Sequence, residues 1–359
     1  MKRLFVFGTR GFPCVQGGVE KHCENIYPNI AHLYDIHVFR RIPYLTQNAP
    51  KIYKNITFTD LPSTKIKGFE AFFHSFLCTI YCIAKRPDIV HIHNIGPGMF
   101  IPLLRITGIK VVLTYHSANY EHKKWSAISK LILRLCELIA TRWASKIIFV
   151  NQLRIKQFKQ SVVQKSVFIP NGVTVKTPTS DTAYLQQLGV SPKQYILALG
   201  RITQEKGFDY LIQAYAKISP VNYKLVIAGG VDHESLFSKR IKEQANIHGI
   251  IMPGYVDGDN LNQLYSHAKL FVLPSYNEEF PLVMLEALSY GLPILASDIP
   301  GNLQMNLNHN DYFKTGDCDD LAQHLTDKLS SADCSSSFPI DLYSWESISD
   351  ELTKVYNQL

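Results

Sequence analysis

Two glutamates eight residues apart, Glu278 and Glu286, stand in PSYNEEFPLVMLEALSYG, the stretch from Pro274 to Gly291. The first falls in a loop and the second in the helix that follows. Phe280 and Pro281 are expected to open that helix, with Pro281 at its first position, where a missing N–H costs nothing. The free backbone N–H groups around Leu282 then point at whatever lies above the loop. A helix end of this kind favours a phosphate, and carboxylates beside it suit hydroxyls. Together they offer what a phosphorylated sugar needs.

Cations and further small residues recur at other strand ends. In YILALGRITQEKG a strand ends near Gly200, Arg201 follows, and Lys206 comes five residues later. Arg supplies paired directional hydrogen bonds and Lys a mobile point charge, a combination that can neutralise a departing diphosphate. Solvated surface charge is the plainer alternative. In GTRGFPCVQGGVEKH, Gly8 to His22, Gly17 and Gly18 sit where a helix begins, so a phosphate or sugar can approach the backbone. The alternative there is a flexible turn. This loop is not GxGxxG, and Arg40 and Arg41 end the second strand where a dinucleotide enzyme carries an acid. His91 and His93 share one face of a strand, and His116 lies just past another, where it can reach a ligand. Buried structural histidines are the alternative. No HExxH or comparable spacing appears, so no metal site is expected.

The elements that position these residues are short runs rich in Val, Ile, Leu and Phe, separated by helical patterns. The expected strands are 3–7, 36–39, 56–60, 89–93, 111–115, 147–150 and 167–169, then 195–199, 224–228, 250–252, 270–273 and 294–296. Runs that rarely alternate with polar residues mark strands buried on both faces, hence an α/β chain with parallel sheets. Ligands of such sheets bind beyond the carboxyl ends of the strands, where each singled-out residue falls. The expected domains are 1–173 and 174–344, with the helix 345–359 packing back on the first. The segment Thr174–Lys193 carries the boundary.

The 359 residues include 37 Lys/Arg and 30 Asp/Glu, a net charge of +7. The charge is uneven: residues 1–172 hold 24 Lys/Arg against 8 Asp/Glu, the remainder 13 against 22. A basic half points to an anionic partner. Nucleic acid is not expected, because no aromatic platform or known binding module accompanies the charge. No apolar run reaches the length of a membrane span. MKRLFVFGTRG reads as a buried first strand rather than a signal peptide, since a Gly-rich loop follows at once. Seven cysteines without a CxxC pair read as reduced thiols of a cytoplasmic protein.

Taken together, these segments resemble retaining glycosyltransferases of the GT-B class, family 4. Glu278 and Glu286 match the family's E-x7-E signature, Arg201 and Lys206 its phosphate-binding pair, QGGVE (Gln16–Glu20) its acceptor-side loop, and IPNGV (Ile169–Val173) its hinge strand. GTRGFP and HSANYEHKKW resemble a branch that makes bacterial surface polysaccharides, O-antigen or capsule. Glu279 departs from the usual glycine, and Asn302 from a common glutamate. The resemblance implies two Rossmann-like domains facing across a cleft. The first would bind a glycan or lipid-linked acceptor through the loop of Gly17, Gly18 and Glu20. The second would bind a nucleotide sugar, UDP-linked first and GDP-mannose next, through Gly200, Phe280, Pro281, Leu282 and Glu286, together with Asn171.

A hexosyl group would then move to an acceptor hydroxyl with retention. Arg201 and Lys206 would stabilise the departing diphosphate without metal or cofactor. Glu286 would hold the ribose, Glu278 the donor sugar, and His116 the sugar or its reacting face. The leaving phosphate would take the acceptor proton. Phe69–Ile83, flanked by Lys65, Lys67, Lys85 and Arg86, and the cluster Lys123, Lys124, Trp125 and Lys130 would suit peripheral attachment to an anionic inner leaflet. The alternative is an interior helix at 69–83. A sugar-nucleotide epimerase of similar fold and a non-catalytic sugar-nucleotide-binding subunit are the rival readings.

Overall fold

The computed structural model describes all residues except 16, 47–48, 65, 67–68, 122–125, 219–221, 232–233 and 332–337. Gln16, Lys65, Lys67, Lys123, Lys124 and Trp125, singled out above, lie outside the described residues. The chain divides into two units. One is Met1–Gly172 with Leu342–Leu359, the other Val173–Asp341.

The first unit contains β1 (Lys2–Phe7), β2 (Tyr34–Arg41), β3 (Ile52–Tyr53), β4 (Ile56–Leu61), β5 (Ile89–His93), β6 (Lys110–Tyr115), β7 (Lys146–Phe149) and β8 (Ser166–Phe168). They lie in the order β3-β4-β2-β1-β5-β6-β7-β8, and only β3 runs antiparallel to its neighbour. The second unit contains β9 (Tyr195–Leu199), β10 (Lys224–Ala228), β11 (Ile251–Gly254), β12 (Leu270–Leu273), β13 (Ile294–Ser297) and β14 (Tyr312–Phe313). Its order is β11-β10-β9-β12-β13-β14, all parallel. Each sheet grows outward in both directions from its first strand. The order therefore reverses between β1 and β5 and between β9 and β12, the switch points where doubly wound sheets hold ligands.

The apolar runs form strands because helices cover both faces of each sheet. Every residue of β5 and β9 is buried. The two strands that the pattern missed, β3 and β14, have two residues each and carry no periodic signal. IPNGV is a correction: it makes no strand beyond an isolated bridge at Val173.

Four helices of the first unit matter below: α1 (Gly18–Ile30), α2 (Phe69–Lys85), α3 (Ile101–Ile106) and α4 (Ala127–Trp143). The interior-helix alternative for 69–83 fails. α2 buries His74, Ser75, Cys78, Thr79 and Cys82 and turns Phe69, Phe72, Phe76 and Ile80 outward, each 41–50% exposed. The helix Trp345–Asn357 lies on α1, where Ser349 Oγ donates to the Ile26 carbonyl at 3.3 Å. Trp345 presses against Gly172, where an added Cβ would stand 2.6 Å from its ring.

Candidate active site

In the second unit the site grows from the switch point. β9 ends at Leu199, and the turn Gln204–Lys206 closes on Gly207, whose φ of +67° is a left-handed conformation. The loop after β12 carries Glu278. Lys206 Nζ pairs with Glu278 Oε1, and Ser275 Oγ donates to the same oxygen at 2.8 Å. Both charged side chains are half-buried, which strengthens a pair relative to one in open water.

Backbone contacts hold that loop on several sides. A Cβ on Gly207 would lie 1.9 Å from the Pro274 carbonyl oxygen, and one on Gly301 would lie 1.9 Å from that of Glu278. Tyr210 OH donates to the Pro274 carbonyl, the Tyr276 N–H to the Glu205 carbonyl at 2.8 Å, and Ser297 Oγ to the Ser275 carbonyl at 2.6 Å. Asn302, fully buried, donates from Nδ2 to the Ser297 carbonyl at 2.9 Å and to its Oγ at 3.0 Å. Asn302 thus steadies Ser297, Ser297 steadies Ser275, and Ser275 meets Glu278. That series gives Asn302 a physical role at the position where the resemblance led one to expect glutamate.

The helix after the loop spans Leu282–Ser289, with Pro281 at the capping position in extended conformation. This corrects the expectation that Pro281 takes the first helical position: the chain turns helical one residue later. Phe280 and Pro281 are buried, Leu282 is half-buried, and Arg201 is exposed beside Gly200. Glu286 faces Tyr265, whose hydroxyl donates to Glu286 Oε2 at 2.9 Å. Glu279 is buried, and its carbonyl accepts from Gln304 Nε2. A half-buried cation–carboxylate pair, an exposed arginine, a helix N-terminus and a second carboxylate can together bind phosphate oxygens and hydroxyls.

In the first unit, Glu20 folds back over the start of α1. Its Oε1 accepts from the Arg10 N–H at 2.9 Å, and a Cβ on Gly17 would lie 2.0 Å from its Oε2. A carboxylate therefore already occupies the electropositive helix end beside Gly17 and Gly18. The Glu20 carboxylate offers an acceptor to a hydroxyl there. Asn171 belongs to the first unit, and the other residues grouped with it for donor binding belong to the second. Its Oδ1 accepts from His22 Nδ1 at 3.0 Å.

His116, half-buried, has its Nε2 2.8 Å from His93 Nδ1. His91 and His93 are fully buried, and His22, which carries no local signal of its own, lies edge-on to His116 with ring centroids 5.0 Å apart. Burial lowers the pKa of His22 to about 4 and of His91 to about 3, and depresses those of His93 and His116 well below the ordinary 6.5. Nitrogens of His22, His93 and His116 all lie within 4.8 Å of one another, a grouping compatible with a metal ion. The His93–His116 separation is shorter than the about 3.3 Å between two nitrogens on one tetrahedral zinc. It has the length of a direct hydrogen bond.

The description Glycosyltransferase Family 4 matches residues 16–177, and Glycosyl transferases group 1 matches residues 181–337. With two doubly wound units of this topology, the chain belongs to the GT-B glycosyltransferases of family 4. It is similar to the uncharacterized glycosyltransferase MJ1607 of Methanocaldococcus jannaschii, 36% identical over 124 residues, which cover 34% of this chain and only 32% of that protein. It is also similar to the UDP-Gal:alpha-D-GlcNAc-diphosphoundecaprenol alpha-1,3-galactosyltransferase of Escherichia coli. That match is 28% identical over 257 residues, 66% of this chain and 65% of the relative. Among solved structures, sucrose-phosphate synthase from Thermosynechococcus elongatus superposes with a TM-score of 0.83 at 21% identity, over 100% of this chain and 99% of its own, a likeness of fold.

Proposed function

We propose that this glycosyltransferase moves a hexosyl group from a nucleoside diphosphate sugar to a hydroxyl of a lipid-linked glycan, with retention at the anomeric carbon, in the building of a surface polysaccharide. The observation that carries this reading is the Lys206–Glu278 pair beyond the switch point of the second sheet, with Arg201 and Glu286 on the flanking segments. Lys206 and Arg201 stabilise the diphosphate as it leaves, which is charge stabilisation at the transition state and needs no metal. Glu278 holds donor-sugar hydroxyls, Glu286 the ribose, and the N–H groups near Phe280–Leu282 a phosphate. The leaving phosphate takes the acceptor proton. His116 touches the sugar being moved, and Glu20 accepts from an acceptor hydroxyl.

A UDP-sugar is the first choice of donor and GDP-mannose the second. The E. coli relative supports this order, since its name carries UDP-Gal and an undecaprenyl diphosphate acceptor. Thermal-shift measurements against UDP, GDP and dTDP test it, because a ligand bound only by the folded state raises the melting temperature. A larger shift with GDP than with UDP reverses the order. Lys206→Ala lowers kcat by about 10²–10³ if the cation acts on the leaving group, as loss of one electrostatic donor does elsewhere. Unchanged turnover rejects the mechanism.

Attachment to the anionic inner leaflet belongs to the same reading. The outward face of α2 is apolar, α3 adds Leu103 and Ile106, and α4 adds Ile128, Leu131, Ile132, Leu135 and Leu138, all exposed. α2 and α4 both pack against Pro97–Phe100 and α3, so the three helices form neighbouring parts of one layer. The exposed charges on α4 are Arg134 and Arg142, while Glu137 is held by Tyr115 and Tyr120. Apolar residues bordered by cations fit an anionic bilayer.

A further inference from the structure

A line of hydrogen-bonded side chains runs through the first unit and ends at His116. Thr114 Oγ1 lies 2.6 Å from His91 Nε2, and His91 Nδ1 lies 2.5 Å from Tyr356 OH and 2.9 Å from Tyr27 OH. Tyr27 OH lies 2.6 Å from His93 Nε2, and His93 Nδ1 lies 2.8 Å from His116 Nε2. Thr114, His91, Tyr27, Tyr356 and His93 are all buried to within 1% of complete, whereas His116 is half-buried. The line therefore has an inner end sealed in the core and an outer end at His116.

A neutral imidazole has one N–H and one lone pair, so each bond in the line dictates the next. The phenols set the direction, because a phenol O–H is a strong donor and its oxygen a poor acceptor beside an imidazole lone pair. Tyr27 and Tyr356 also meet each other, and the two phenol protons are assigned to the two ring nitrogens along the shortest contacts, Tyr356 to His91 Nδ1 and Tyr27 to His93 Nε2. His91 then donates from Nε2 to Thr114. On that assignment His93 carries its proton on Nδ1 and donates it to His116 Nε2.

We propose that Tyr27 and His93 fix the tautomer of His116, so that this ring meets its ligand as a neutral Nδ1–H hydrogen-bond donor. The lone pair on Nε2 is already taken by His93, so His116 is not a base at that nitrogen. Tyr27 and His93 are positioning residues that act through His116. Burial, which depresses the pKa of all three histidines, keeps the line uncharged. The consequence for transfer rests on the function proposed above, in which His116 touches the sugar. The tautomer itself does not rest on that reading.

Long-range ¹H–¹⁵N correlation spectra of the full chain, labelled at histidine, read the tautomer directly. Signals are assigned by their loss in His116→Gln and His93→Gln. The expected wild-type pattern at neutral pH shows His93 and His116 each protonated on Nδ1 alone. Protonation of His116 on Nε2, or on both nitrogens, overturns the proposal. In Tyr27→Phe, which keeps the ring that stacks on Phe12, the His116 signals move toward a mixture of tautomers. An unchanged pattern overturns the proposal. Should this variant fail to fold, the wild-type spectrum alone still decides.

The rival is a metal held by His22, His93 and His116. One equivalent of Zn²⁺ leaves the three rings' signals in place if the direct hydrogen bond is right, and tight stoichiometric shifts overturn it. In the transfer assay, Tyr27→Phe lowers kcat about tenfold, the loss of roughly one hydrogen bond, with KM for the donor unchanged. A chain that transfers no sugar but shows the expected spectrum sinks the proposed function and leaves the tautomer standing.

Discussion

At the scale of single residues, the site in the second unit depends on where backbones may touch. Gly207 has both a left-handed φ and a carbonyl where a Cβ would go. Gly207→Ala is expected to cost at least about 2 kcal/mol, from the conformation and the displaced loop together, read as a lower denaturant midpoint. Turnover falls with it, because the loop displaced is the one that carries Glu278. A midpoint within error of wild type rejects the close-approach argument. Asn302→Leu tests the series Asn302–Ser297–Ser275. It keeps the volume but strips two hydrogen bonds from a buried serine, at an expected cost of about 1–3 kcal/mol. Equal stability would mean the departure from glutamate has no structural role.

At the scale of elements, α2 and α4 turn their apolar faces the wrong way for an interior helix. In α2 the small and polar residues Ser75, Cys78 and Thr79 are buried, while Phe69, Phe72 and Phe76 are exposed. Substituting exposed residues changes stability by about 0.5 kcal/mol or less. Ile128→Glu with Leu131→Glu, 73% and 69% exposed, is therefore expected to leave the melting temperature nearly unchanged while abolishing sedimentation with anionic vesicles. Equal recovery of the wild type with neutral and anionic vesicles sinks membrane attachment. The period of apolar residues in 69–83 was legible in the sequence, but which side faced the core was not. A run that is apolar nearly all round gives the two orientations similar hydrophobic patterns, and only the neighbouring Pro97–Phe100 and α3 break the tie.

At the scale of the whole molecule, buried neutral histidines tie stability to pH. His22, His74 and His91 titrate at about 4, 3 and 3 when folded, against an ordinary 6.5 when unfolded. The unfolded chain therefore binds more protons between those values, and stability present above pH 6.5 is lost as pH falls toward 4. A melting temperature that declines across that window is expected, with a smaller decline in His22→Phe. A flat profile from pH 7 to pH 4 contradicts it.

The sequence by itself determined the parallel α/β architecture, most strand positions, and the residues at strand ends, because burial on two faces and helical period are local properties of the chain. The family resemblance followed from the order of those same motifs. Tertiary structure alone decided which strand-end residues meet. Lys206 and Glu278, 72 residues apart, pair because β9 and β12 are neighbours at the reversal of strand order. His22 joins His93 and His116 because α1 packs against the ends of β5 and β6, and Asn171 meets His22 at a separation of 149 residues. No local signal carries such contacts: they follow from crossover order and close packing, which exist only once the sheets have formed.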